Sequence, residues 1–126
     1  MAVPSHFSIT HLEMWNILVA CRLWGEVWKG HSIHIFCDNM AVVQVLCSGK
    51  SKDQSLAVMN RNIWFECATN DIELKVSHIA GKLNTVADML SRWTNSIAQC
   101  KKLLSVIPNP VWCTVRKEHV ELDLDI

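Results

Sequence analysis

The sequence lacks net charge, paired cysteines and long apolar runs, and each absence excludes a class of protein. Twelve basic residues balance twelve acidic ones, so the charge of the whole chain indicates neither a nucleic-acid nor a membrane partner. The six cysteines form no CxxC pair and follow no secretory leader, which indicates reduced thiols and a cytoplasmic or nuclear location. No uncharged apolar run reaches the roughly 18 residues of a membrane span, so we expect a soluble protein without a membrane partner.

The 126 residues, half of them apolar, suffice for one compact domain with its own core. Hydrophobic periodicity and capping residues predict helices over 10–29, 39–48 and 54–69, strands over 31–37 and 72–79, and a further helix capped by Asn84. This order of elements is typical of an α/β domain with two parallel strands packed with helices. Two prolines mark residues 106–126 as a linker and C-terminal tail, so the domain is assigned to residues 1–105.

Three acidic residues are predicted to stand at the ends of these elements. Glu13 lies in the first turn of the first helix, Asp38 follows the first strand, and Asp88 lies in the first turn of the last helix. Carboxylates gathered at the ends of parallel strands suit hard divalent cations such as Mg²⁺. Each residue also has a structural interpretation. Glu13 closes a capping box that begins at Thr10. Asp38 caps the next helix, and Asp88 pairs with Arg92.

Four stretches of the sequence resemble one known family. They are ITHLEM at 9–14, IFCDNMAVVQVL at 35–46, SGKSKD at 48–53 and HIAGKLNTVADMLSRW at 78–93. Together they resemble the ribonuclease H domain of retroelement polyproteins, most closely that of the DIRS-type reverse transcriptases, over about residues 8–93. The last stretch is the most specific, because His78 and Asp88 stand at the family's spacing with the residues between them.

The resemblance implies a ribonuclease H-like α/β fold and a metal-dependent nuclease. Glu13 matches the family's catalytic glutamate, and Asp38 and Asp88 match its second and last catalytic aspartates. All three are thereby implied to be ligands of Mg²⁺, with Mn²⁺ as an alternative ion. His78 matches the family's mobile catalytic histidine, which assists product release or proton transfer. Without the resemblance, His78 would be interpreted as a solvent-facing residue at a strand end.

The implied substrate is an RNA–DNA hybrid, whose RNA strand the intact family hydrolyses with two Mg²⁺ ions. Recognition of such a hybrid depends on its A-like shape and its 2′-hydroxyls, without reading of the bases. Exposed loop lysines are more often simply solvated, but by analogy with the family three of them contact phosphates: Lys50, Lys52 and Lys82.

The chain departs from the family at its N-terminus. Ribonuclease H folds begin with three antiparallel strands, of which the first carries the first catalytic aspartate, and residues 1–7 contain no acidic residue. We therefore expect a domain that lacks these strands and cleaves poorly, unless an upstream reverse transcriptase segment or another chain completes the sheet. The alternative is a catalytically inert remnant that acts as an interaction or connection module.

Three other features of the sequence are less informative. Gly49, Lys50 and Ser51 resemble the end of a phosphate-binding loop, but Gln44 occupies the position of the upstream glycine that this motif needs. A zinc site built on His31 and His34, or on His34 and Cys37, is disfavoured, because a strand places His31 and His34 on opposite faces. Five of the six tryptophans fall at apolar helical positions and are predicted to pack in the core: Trp15, Trp24, Trp28, Trp64 and Trp93.

Overall fold

A computed structural model describes residues 7–83 and 116–121 of the chain. The chain divides into two compact units, one formed by Met1–His78 with Val115–Ile126 and the other by Ile79–Thr114. Four residues named in the sequence analysis lie outside the described residues: Asn84, Asp88, Arg92 and Trp93.

The described elements follow the predicted order. Helix α1 spans Ile9–Trp28, strand β1 Ser32–Cys37, helix α2 Met40–Ser48, helix α3 Gln54–Thr69, strand β2 Glu73–His78, and a short helix α4 Lys117–Val120. A 3₁₀ turn, Gly81–Leu83, belongs to the second unit. The three long helices and both strands confirm the prediction, with bounds that differ by one residue at most. No helix within residues 7–83 and 116–121 is long and apolar enough to cross a membrane.

Helix α1 begins with a cap that the sequence motif does not predict. Ser8 is the N-cap, and its backbone N–H donates to the Nδ1 atom of His11 at 2.9 Å. The other ring nitrogen of His11, Nε2, lies 3.0 Å from the Oδ2 atom of Asp53, at the start of α3. The capping box predicted at Thr10 and Glu13 is therefore wrong. His11 has the role that the motif assigns to Glu13, and its side chain contacts Asp53, 42 residues further along the chain.

Side-chain caps also fix the N-termini of α2 and α3. The Oδ1 atom of Asn39 accepts hydrogen bonds from the first backbone N–H groups of α2, at 2.9 and 3.4 Å. The interpretation of Asp38 as this cap is therefore wrong. Asp53 accepts from the backbone N–H of Leu56 at 3.1 Å, which confirms the predicted cap of α3. Gly49 is the C-cap of α2, and its φ of 72° favours glycine.

Strands β1 and β2 form a two-stranded parallel sheet. Ser32 pairs with Glu73 at one end of the register, and Cys37 pairs with His78 at the other. Parallel strands need a crossover connection, and α2 and α3 provide it. The helices and one face of the sheet enclose the core, whose largest fully buried side chains are Met14, Leu18, Leu46, Met59 and Ile63. These features confirm the predicted α/β class.

Two tryptophans contradict the prediction that they pack in the core. Trp24 and Trp64 are each 36% exposed, whereas Trp15 is 8% exposed and belongs to the core. The indole N–H of Trp64 donates to Asn60 at 3.1 Å, and the ring of Trp24 packs against that of Trp28. Helical spacing does not separate buried from exposed tryptophans in α1, because this helix is apolar on nearly every side and its core face does not stand out in the sequence.

Arg22 joins α1 to the C-terminal end of the first unit. Its guanidinium donates to the backbone carbonyls of Glu121 and, at 3.5 Å, of His119. The same side chain lies 3.7 Å from a carboxylate oxygen of Glu66 in α3. Residues 116–121 are thereby held against α1.

We expect Asp53→Ala to lower the free energy of unfolding by about 1 kcal/mol, because it removes the cap of α3. Burial raises the pKa of Asp53, but hydrogen bonds from Leu56 and His11 outweigh burial and leave this pKa below its ordinary value. A carboxylate with a depressed pKa stabilises the fold above its unfolded pKa of about 3.9. That contribution is lost as the pH falls through the folded pKa.

Urea titrations at pH 7 and at about pH 2 check this prediction. Asp53→Asn is the matched control, since its amide oxygen still caps α3 while its charge is lost. At pH 7 the Asn variant should therefore lose less stability than the Ala variant. Between pH 7 and pH 2 the stability of the Asn variant should fall less than that of the unmodified chain. Equal losses in the two variants at pH 7 would contradict the capping role.

Candidate metal centre

The first turns of α1 lie against the carboxyl end of β1. The Nδ2 group of Asn39 donates to the hydroxyl of Thr10 at 3.1 Å, which ties the start of α2 to the start of α1. Cys37 and Asp38 immediately precede Asn39, and Glu13 follows Thr10 by one helical turn. The contact therefore brings Glu13 to the place where a parallel strand ends, which is where α/β folds hold their functional sites.

Glu13 is not a capping residue of α1, because His11 occupies the capping position. Its carboxylate oxygen Oε2 is buried and has no hydrogen-bond partner within residues 7–83 and 116–121. Leaving a polar group in this state costs about 1–3 kcal/mol, and more if it is charged. Buried polar atoms are nearly always satisfied in native proteins, and a bound water or ion is one way to satisfy this oxygen.

Glu13 and Asp38 come together with Cys37. One carboxylate oxygen from each acid and the Sγ atom of Cys37 all lie within 4.8 Å of one another. Asp38 is exposed and Glu13 is half-buried, while Cys37 is only 9% exposed and closes the inner side of the group. The structure therefore brings together two of the three carboxylates identified in the sequence. The third, Asp88, lies outside the described residues.

The sequence analysis considers Cys37 only as a partner of His34 and does not place it with the two carboxylates. Its position follows from the strand alternation, because Ile33, Ile35 and Cys37 share one face of β1 and that face packs on the core. Burial raises the pKa of the Cys37 thiol above its ordinary value, and the nearby charges of Glu13 and Asp38 raise it further. The metal-free protein therefore keeps this thiol protonated at neutral pH.

His78 lies at the same end of the sheet, one strand away from the group. It is the register partner of Cys37, and strand alternation places the two residues on the same face. Neighbouring strands are about 4.8 Å apart, so the imidazole is within side-chain reach of the centre. His78 is exposed and stands outside the group of Glu13, Cys37 and Asp38. Its assistance in product release or proton transfer stays a prediction.

The predicted phosphate contacts are all placed in loops or turns. Lys50 and Lys52 are exposed in the loop between α2 and α3, which ends at Asp53. The contact of Asp53 with His11 ties the end of this loop to the first turn of α1. Lys82 belongs to the 3₁₀ turn of the second unit. Contact of these lysines with nucleic acid stays a prediction.

Comparison with known proteins gives one match. The profile of a protein family described as reverse transcriptase-like matches residues 1–94. The chain belongs to the reverse transcriptase-like family. The family's ribonuclease H-like fold is compatible with the helices and parallel sheet described above. The match suggests a ribonuclease H-like domain of a retroelement. No curated protein and no solved structure matches significantly.

The residues of the centre fit the Mg²⁺ ion that the resemblance of this reverse transcriptase-like chain implies. Glu13 offers a buried oxygen that has no partner among the described residues, and the exposed Asp38 offers an oxygen within 4.8 Å of a Glu13 oxygen. Mg²⁺ prefers such oxygen ligands and keeps several of its waters, for which the exposed side of the centre leaves room. The sulfur of Cys37 is a soft donor and adds little affinity for this ion.

Glu13→Gln is expected to stabilise the metal-free reverse transcriptase-like chain by about 1 kcal/mol, because it removes one of two neighbouring negative charges. The same variant should lose the rise in melting temperature that Mg²⁺ gives the unmodified chain. Thermal unfolding with and without MgCl₂ measures both effects. Glu26→Gln, at an exposed position of the same helix, is the control and should keep the response to Mg²⁺. Destabilisation of Glu13→Gln without Mg²⁺ would mean that Glu13 has a structural role.

Proposed function

We propose that this chain is a ribonuclease H-type domain of a retroelement polyprotein, which hydrolyses the RNA strand of RNA–DNA hybrids. One observation carries the proposal: the carboxylates of Glu13 and Asp38 converge at the end of β1, and neither serves as a helix cap. Membership of the reverse transcriptase-like family supports it. The resemblance of residues 78–93 supports the DIRS type within that family.

The two carboxylates have different places in the proposed mechanism. Glu13 holds the cation from inside the fold, and the exposed Asp38 holds it from the side that faces solvent and substrate. Bound Mg²⁺, or Mn²⁺ in its place, supplies an activated water and stabilises the leaving oxygen. Asp88 is the proposed third ligand. His78, one strand away, assists product release or moves a proton.

Substrate binding in this proposal depends on the backbone and shape of the hybrid. Lys50 and Lys52 are exposed in one loop and contact phosphates there, and Lys82 does so from its turn. Such contacts position the nucleic acid but carry no sequence information. We therefore expect cleavage of hybrids of any base sequence.

We further propose that an upstream reverse transcriptase segment or another chain completes the sheet of the active domain. Among the described residues, β1 and β2 pair only with each other, so each strand has one edge without a strand partner. Backbone groups at such edges readily pair with another strand. An added strand that carries an aspartate supplies the first carboxylate of the family. The same open edges favour the second candidate function, an inert interaction or connection module.

A hybrid-cleavage assay tests the proposal on the purified chain, alone and fused to an upstream three-stranded segment that carries an aspartate. We expect little or no cleavage by the chain alone, because Mg²⁺ tolerates incomplete coordination badly. The fusion should cleave in a Mg²⁺-dependent manner, and a fusion with asparagine in place of the added aspartate is the control. Inactivity of both proteins would favour the inert module. Robust cleavage by the chain alone would mean that another group completes the site.

A further inference from the structure

Cys37 is the one thiol of the described residues that stands in a group with two carboxylates. The other described thiols are placed elsewhere. Cys21 and Cys67 are buried in α1 and α3, and Cys47 is exposed on α2. Coordination of Mg²⁺ by oxygen ligands gives this sulfur no role. Core packing accounts for the burial of Cys37, and its sulfur also lies within reach of both carboxylates.

The Cys37 side chain packs in the core, but its thiol makes a weak hydrogen bond. Its described hydrogen bond is a contact of 3.9 Å with the backbone carbonyl oxygen of Asn39, which is long even for sulfur. The Oε2 atom of Glu13 is buried without a partner in the part of the chain that the structure describes. A carboxylate oxygen of Glu13 and the Sγ atom of Cys37 lie within 4.8 Å of each other. A cation placed between them would give the sulfur and the carboxylate a common partner.

We propose that Cys37 is a metal ligand of this centre and that the centre therefore takes thiophilic divalent cations, such as Zn²⁺ and Cd²⁺, in preference to Mg²⁺. The Sγ atom and one oxygen each from Glu13 and Asp38 form a set of three protein ligands. The fourth position of a tetrahedral ion is left to water on the exposed side of Asp38. Three protein ligands with one open position are typical of accessible zinc sites.

The geometry requires only a small adjustment. Metal–ligand bonds of about 2.3 Å to sulfur and 2.0–2.2 Å to oxygen place tetrahedral ligand atoms about 3.4–3.6 Å apart. The three atoms now lie within 4.8 Å of one another, so they must approach by at most about 1.4 Å. The side chain of Asp38 is exposed and has the most room to move, whereas Cys37 is buried.

The charges of the bound state also match. As the bond between Sγ and the metal forms, the thiol proton leaves to solvent, so the centre then carries one thiolate and two carboxylates around a doubly charged ion. Thiolate is a soft ligand that selects zinc-like ions, whereas Mg²⁺ gains little from it. The preference therefore depends on this one sulfur atom.

A thiophilic ion at this centre has a consequence for activity. It occupies both carboxylates that the proposed function assigns to Mg²⁺, so we expect it to inhibit hybrid cleavage. This consequence rests on the proposed function, whereas binding of the ion does not. The two are therefore measured separately.

Titration with Cd²⁺ tests the binding directly, since coordination by sulfur produces an ultraviolet charge-transfer band. We expect the band in the full chain and in the matched control Cys47→Ser, and its loss in Cys37→Ser. Affinity for Cd²⁺ should fall about 100-fold in Cys37→Ser, while the stabilisation by Mg²⁺ remains. Glu13→Gln should keep the band but bind Cd²⁺ more weakly. Circular dichroism checks the fold of each variant, and Cys37→Val replaces Cys37→Ser if the serine variant does not fold.

Absence of the band in the full chain, or an undiminished band in a folded Cys37 variant, would overturn the inference. If Cd²⁺ binds through another cysteine and hybrid cleavage persists, the inference is overturned but the proposed function is not. The converse result is that Cd²⁺ binds through Cys37 while the fusion with the upstream three-stranded segment does not cleave hybrid. This result would support the inference and contradict the proposed function.

Discussion

We expect Asp38→Asn to lower the Mg²⁺-dependent cleavage of hybrid about 1,000-fold in the chain fused to the upstream three-stranded segment. This loss corresponds to about 4 kcal/mol of transition-state stabilisation. A neutral amide oxygen replaces a charged ligand, so the cation loses half of the carboxylate pair formed with Glu13. Folding should change little, because Asp38 is exposed and Asn39 provides the cap of α2.

Single-turnover cleavage of a labelled hybrid by the fusion measures this loss. Asp71→Asn is the matched control, since Asp71 is exposed and has a φ of 52°, a conformation that asparagine tolerates. The control should cleave as well as the unmodified fusion. Retention of full activity by a folded Asp38→Asn variant would remove the catalytic role of Asp38 and, with it, the observation that carries the proposed function.

Leu18→Ala should lower the free energy of unfolding by about 2–5 kcal/mol, which is the largest effect on stability that we expect from a single substitution. Leu18 is fully buried in α1, where its side chain belongs to the core shared with the sheet and the other helices. The substitution removes apolar contacts and leaves a cavity that the surrounding helices cannot fully close. Single domains are stable by only about 5–15 kcal/mol, so a large part of that stability is lost.

Leu12→Ala is the control for this experiment, because Leu12 lies in the same helix but is 40% exposed. Chemical denaturation should show a loss of about 0.5 kcal/mol or less for Leu12→Ala. The difference between the two variants separates burial in the core from any effect on the helix itself. Similar losses for both variants would contradict the description of the core.

The regular elements could be predicted from the sequence because their signals are local. The apolar alternation of Ile33, Ile35 and Cys37 predicts β1, and Asp53 before an apolar run predicts the start of α3. Parallel pairing follows from the order of the elements, since two helices separate the strands. The approach of Asp38 to Glu13 could also be expected, because the ends of parallel strands are where such folds gather polar residues.

The roles that depend on distant contacts could not be predicted. His11 is not a usual capping-box residue, and its ring is oriented by Asp53, which is far away in the sequence. The pattern therefore points to Glu13 as the capping residue. Asp38 and Asn39 are both good caps, and only the backbone at the start of α2 decides between them. In each case the correction leaves a carboxylate without a capping role, and both carboxylates belong to the candidate metal centre.

The parallel register has a consequence for how the chain folds. Ser32 and Glu73 are 41 residues apart, so bringing β1 to β2 costs about 3 kcal/mol in loop-closure entropy before any pairing stabilises it. A sheet of this kind cannot begin as a local hairpin, because α2 and α3 lie between its two strands. At a synthesis rate of about 5–20 residues per second, roughly 2–8 s pass between the synthesis of β1 and the synthesis of β2. During that interval the strand is open to chaperones and to any strand that was synthesised before it.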